Sequence, residues 1–155
     1  MMSAIEKISI HFGIPEHGWL PTVFKYGNFA LALDISDVPL NPMTQLCDSL
    51  IQLLQGIDKP QIIPWHLEPY CYYLQLNKMD TYYNATILES EDFDSSKKVT
   101  FEAKGNFESI VLPIYRGLKK FHSKEYGPPN WDKIDSKRIK ELKRLVEKAK
   151  AHNKR

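Results

Sequence analysis

Two strand-like runs, Trp19 to Tyr26 and Phe29 to Ile35, are separated only by Gly27-Asn28. A link this short joins antiparallel neighbours, because a parallel pair needs a crossover of a dozen residues or more. The remaining strand-like runs are also closely spaced. Ile5 to Phe12 puts Ile8, Ile10 and Phe12 on one face. Gln61 to Leu67 contains Pro64, which cannot donate to a ladder and so marks an edge or a bulge. Tyr70 to Asn77 aligns Tyr70, Tyr72, Leu74 and Leu76, Thr81 to Leu88 follows a Met79-Asp80 turn, and Lys97 to Ala103 is a shorter run.

Helical spacing appears in three places. Met43, Leu46, Cys47, Leu50 and Leu54 recur on one face, with Asn41 as cap, Pro42 in the first turn and Gly56 at the end. Asn106 caps a second helix from about Phe107 to His122, which Pro113 should kink or delay. After the stiff connector Gly127-Pro-Pro-Asn-Trp131, a third helix runs from Ser136 to about His152. The predicted order is β-β-β-α-β-β-β-β-α-α. It describes an α+β fold whose mainly antiparallel sheet of about six to seven strands carries helices on one face. A chain of 155 residues without internal repeats is expected to form a single domain over 1–155.

The hydrophobic content of 43% excludes disorder over most of the chain, and no apolar run is long enough to span a bilayer. The N-terminal Met-Met-Ser-Ala-Ile-Glu-Lys lacks the layout of a signal peptide. Cys47 and Cys71 sit among apolar neighbours and read as buried thiols. These features place the expected site of action in the cytoplasm. The sequon Asn84-Ala85-Thr86 then has no role.

Charge is divided by position. Residues 1–96 hold 4 Lys/Arg against 12 Asp/Glu, a balance of −8, and residues 97–155 hold 17 against 7, a balance of +10. The net charge of +2 hides that polarity, and separated fields steer association with charged partners. The segment Lys133 to Arg155 carries ten basic residues, with Asp135, Glu141 and Glu147 among them. A basic helix can bind phosphate backbones, but the interleaved carboxylates and the lack of stacking aromatics favour an amphipathic helix docked through Ile139, Leu142, Leu145, Val146 and Ala149. On the acidic side, Glu89, Glu91, Asp92 and Asp94 surround Phe93, and Asp80 lies on a nearby turn of the sequence. An aromatic anchor inside a charged rim suits a protein interface, so these six residues are the expected partner-binding set.

Catalytic patterns are weak. His66-Leu-Glu68-Pro69-Tyr-Cys71 echoes the His-x-Glu and Pro-Cys-x-x-Cys elements of zinc deaminases, but Leu74 occupies the position of the third ligand. Five histidines are scattered, and a small hydrolase using His11, His17 or His122 finds no supporting spacing. There is no nucleophile elbow or phosphate loop. The expectation is a binding protein without catalytic residues, cofactor or metal.

The chain resembles small cytoplasmic immunity proteins of bacterial contact-dependent growth inhibition and related polymorphic-toxin systems. The resemblance spans roughly residues 8 to 122. It rests on His17-Gly-Trp-Leu-Pro21, Ile35-Ser-Asp-Val38 with Asn41-Pro42, the Leu46/Leu50/Leu54 helix, and Trp65-His-Leu-Glu-Pro69 leading into Tyr72. It implies a protein that binds a cognate toxin domain and covers its active site. Many such toxins are basic nucleases, whose substrate phosphates an acidic surface would imitate. Interface residues vary within the family, so none carries over by position. The alternative is a small nucleic-acid-binding module using the basic C-terminal helix. No membrane partner is expected.

Overall fold

The computed structural model describes residues 6–91 and 96–153. Its strands are β1 (Ser9–Phe12), β2 (Trp19–Tyr26), β3 (Phe29–Ser36), β4 (Gln61–His66), β5 (Cys71–Lys78), β6 (Tyr83–Ser90) and β7 (Lys98–Gly105). Its helices are α1 (Pro42–Leu54), α2 (Leu112–His122) and α3 (Ser136–Asn153). The seven strands form one antiparallel sheet in chain order, β1-β2-β3-β4-β5-β6-β7. The α+β class and the element order read from the sequence both hold.

The local signals explain the joints. Gly27 takes φ +56 in the β2–β3 turn, a conformation open to glycine at little cost. Asn41 caps α1 by accepting from the Met43 and Thr44 amides, and Gly56 follows the helix at φ +79. Asn106 and Ser109 form a reciprocal capping box. The predicted effect of Pro113 appears as a change of winding: Phe107–Val111 is a π-helical turn, and regular α-helix begins at Leu112. Asp135 caps α3 through the Lys137 amide at 2.9 Å.

Alternation puts Ile63, Leu74, Ile87 and Phe101 in one inner row across β4–β7. Ile10, Phe24 and Leu31 form the matching row across β1–β3. One cluster of buried side chains runs from Ile8 to Val146. α1 packs on β4 and β5, α2 packs on β1, and α3 packs on α1 through buried Leu142, Leu145 and Val146. The basic helix therefore docks by its apolar side.

The sheet is nearly divided. β3 and β4 share a single register pair, Ser36 with His66, so each strand extends past the end of the other. Pro64 lies opposite Tyr73, and the alternation of the β4–β5 ladder turns its missing donor away from β5. That open side is where a proline is tolerated, as the sequence led us to expect. The sheet also coils strongly. Phe24 of β2 and Phe29 of β3 reach Phe101 of β7, with ring centroids 5.2 and 4.8 Å apart.

Candidate functional site

The acidic end of β6 is organised by the β4–β5 turn. The Leu67 amide donates to the Tyr70 carbonyl at 2.7 Å, and Glu68 takes the left-handed φ of +55 between them. This tight turn delivers Tyr70 and Tyr72 side by side, with ring centroids 5.4 Å apart. Glu89 stands opposite Tyr72 on one side and Lys98 on the other. The Tyr70 hydroxyl donates to Glu89 Oε2 at 2.6 Å.

That bond has consequences for both partners. It holds the Glu89 carboxyl below the usual range, helped by contacts from Tyr72, Lys98 and Thr100 and opposed by burial. It is also the largest cause pushing the Tyr70 phenol up to about 12, with burial and the charges of Glu89 and Glu91 acting in the same direction. The phenol–carboxylate pair is therefore intact across the neutral range. It makes a fixed anionic group backed by two aromatic rings, beside an open groove lined by Glu91, Ser96 and Lys98. Chemically, this surface is suited to receive a cationic side chain.

The residues expected from sequence fare unequally. Glu89 and Glu91 are adjacent at this end of β6. Asp80 is not: it lies in the β5–β6 turn, where the Met79 amide bonds the Tyr82 carbonyl. The six strand steps from Tyr83 to Glu89 place it roughly 20 Å away, so the two carboxylates are not brought together. Sequence order put Asp80 near the acidic segment, but the hairpin sends it to the opposite end. Asp92, Phe93 and Asp94 lie outside the described residues. Tyr70 and Tyr72 were missed as site residues. Their shared face was visible in the alternation, but the carboxylate they would meet was not.

A second cluster crosses the sheet. Ser36, His66, Cys71 and Ser90 are successive register partners on β3, β4, β5 and β6, and all four are buried. Cys71 Sγ lies 3.3 Å from His66 Nδ1, so the two elements of the deaminase echo do meet. Among the described residues, no three His, Cys, Asp or Glu side chains are grouped to hold a metal ion. Burial raises the Cys71 thiol and lowers the His66 imidazole, which leaves a neutral pair rather than the thiolate a nucleophile requires. Both thiols are free and buried, and burial pushes Cys47 up to about 11.

His66 supplies a pH prediction. Its folded pKa lies below the ordinary 6.5, so it contributes stability above pH 6.5 that is lost as pH falls through the folded value. The thermal midpoint should fall on going from about pH 7 to about pH 5, and His66→Gln should flatten that slope. An unchanged slope in the variant would contradict the assignment. His11, His17 and His122 do not assemble into a site. Their charged neighbours are separate: Lys124 and Lys120 for His11, Glu16 for His17, and Lys133 for His122.

Among the described residues, no other cluster offers a stronger arrangement than the Tyr70–Tyr72–Glu89 surface. In comparisons with known proteins, no family model matches the chain, and no curated protein or solved structure matches it significantly.

Proposed function

We propose that this protein is an immunity-type inhibitor that binds a cognate bacterial toxin domain, a basic nuclease, in the cytoplasm. It acts by covering the toxin's active site, not by catalysis. The observation that carries the reading is that few close ion pairs link the two oppositely charged parts among the described residues. Among the described residues, a single ion pair, Arg138 to Asp48 at 2.7 Å, joins the acidic part to the basic part. The other ion pairs are local, between Glu141 and Arg144 and between Glu147 and Lys150. Glu89, held by the Tyr70 hydroxyl and facing Lys98, and Glu91 take part in none of these ion pairs and line an open groove. Tyr70 and Tyr72 give them an aromatic backing of the kind that anchors interfaces. Neutralising a toxin at low copy number calls for a Kd of about nanomolar, on the order of −12 kcal/mol.

The test is co-expression with the product of the adjacent gene. Protection of the cells and co-purification of a stoichiometric complex are expected; failure of both would overturn the reading. The double change Glu89→Lys with Glu91→Lys should slow association at low salt by about tenfold or more, with a smaller difference at high salt. An RNA titration at two salt concentrations serves as the counter-test. Tight binding with a steep salt dependence would favour the basic helix α3 as the working surface.

A further inference from the structure

Exposed strand edges invite pairing with other chains, and proteins normally blunt them. Three of the four open edges in this sheet are blunted. β1 is short, and its outward groups are engaged: the Ile8 amide by the Ser109 carbonyl, and the Phe12 carbonyl by Lys124 Nζ. Its Ile10 carbonyl lies against Gly117. β4 carries Pro64. β7 has a bulge opposite Ile87 and Leu88, and exposed Lys98 and Lys104. β3 has none of these devices. Its eight residues pair with β2 without a break in register, and the strand contains neither proline nor lysine.

The direction of its free groups follows from the hairpin. Tyr26 and Phe29 flank a two-residue turn and bond each other, so Phe29, Leu31, Leu33 and Ile35 face β2. The amides and carbonyls of Ala30, Ala32, Asp34 and Ser36 face away, as the Ser36–His66 bridge requires. Among the described residues, no hydrogen bond engages those of Ala30, Ala32 or Asp34. All three side chains are exposed.

We propose that β3 pairs with β3 of a second copy of this chain, antiparallel about a two-fold axis at Ala32. This register is self-complementary: Ala32 meets the second copy's Ala32, and Ala30 meets its Asp34. Each of these pairs exchanges both backbone bonds. The side chains agree with it. Lys25 is the β2 partner of Ala30, so it lies two strand spacings, about 10 Å, from Asp34 of the second copy. Only the methyl group of Ala30 stands between them, and a lysine stem can cross that span. By symmetry the pair forms twice. It flanks a central row of Val23 and Ala32 from each copy, small enough to lie flat. Charge complementarity with a second copy, which an unrelated strand would not provide automatically, selects this occupant.

Sedimentation velocity over about 10 to about 500 µM should show a monomer–dimer equilibrium that stops at the dimer. Asp34→Lys, an exposed change, should weaken the dimer by about tenfold by placing like charges together, and adding Lys25→Asp should restore it. Ala32→Cys should give an inter-chain disulfide on mild oxidation, because paired Cα atoms lie about 5.5 Å apart, whereas Ala30→Cys should not. Cys47 and Cys71 are buried and do not confuse the assay. A monomer at every concentration overturns the proposal, as do larger assemblies, equal cross-linking of the two cysteine variants, or no rescue by the charge exchange. None of these results bears on protection against a toxin.

Discussion

Phe101→Ala is expected to lower stability by about 3–5 kcal/mol, measured by urea unfolding with an unchanged m-value. Phe101 is nearly buried on β7, and it holds the coiled sheet together at a distance. Phe24, Tyr26 and Phe29 all meet its ring, at 5.2, 5.4 and 4.8 Å. These residues come from the first hairpin, whose only ladder to the later strands, among the described residues, is the Ser36–His66 pair. Deleting the ring therefore leaves a cavity and removes much of the contact between the two parts of the sheet. A cost below about 1 kcal/mol would show that the aromatic cluster is not what closes the sheet.

Gly117→Val is the second large effect, at about 2–3 kcal/mol. An added Cβ at this position would lie 2.7 Å from the Ile10 carbonyl oxygen and 2.7 Å from Ile10 Cγ2. Helix propensity alone favours almost any residue over glycine in α2, by up to about 1 kcal/mol. The clash wins because its partner includes backbone that is fixed in the β1–β2 ladder. Thermal unfolding of Gly117→Val and Gly117→Ala should show both variants destabilised, valine more so. A more stable Gly117→Ala would mean that α2 can move away from β1 at little cost.

Much of the fold was legible because its cues are local. Gly27-Asn28 set a hairpin, Asn41 and Gly56 bracketed α1, and Asn106 capped the segment entering α2. Pro64 pointed to an edge or a bulge in β4, and its missing donor lies on the side away from β5. The site was less legible, because its members are neighbours only after registers are fixed. Glu89 finds Tyr70 nineteen residues away, through a turn whose left-handed residue is Glu68 instead of glycine. The cross-sheet row of Ser36, His66, Cys71 and Ser90 depends on three successive registers. A one-residue slip in any of them would disperse it. Asp80 stands apart from Glu89 for the same reason: closeness in sequence becomes a full strand length of separation in a hairpin.

The identity of sheet order and chain order has a further consequence for how the molecule is made. Every ladder joins strands that are consecutive in the chain, so the sheet can grow one strand at a time as synthesis proceeds, without waiting for a distant partner. The slow, non-local step is the return of the C-terminal part to β1 and α1, marked by Ile8 on Ser109, Lys124 on Phe12, and Arg138 on Asp48. Until the chain past α2 has emerged, the edge of β1 stays open. The last third of the chain thus acts as the latch of a sheet that has already formed.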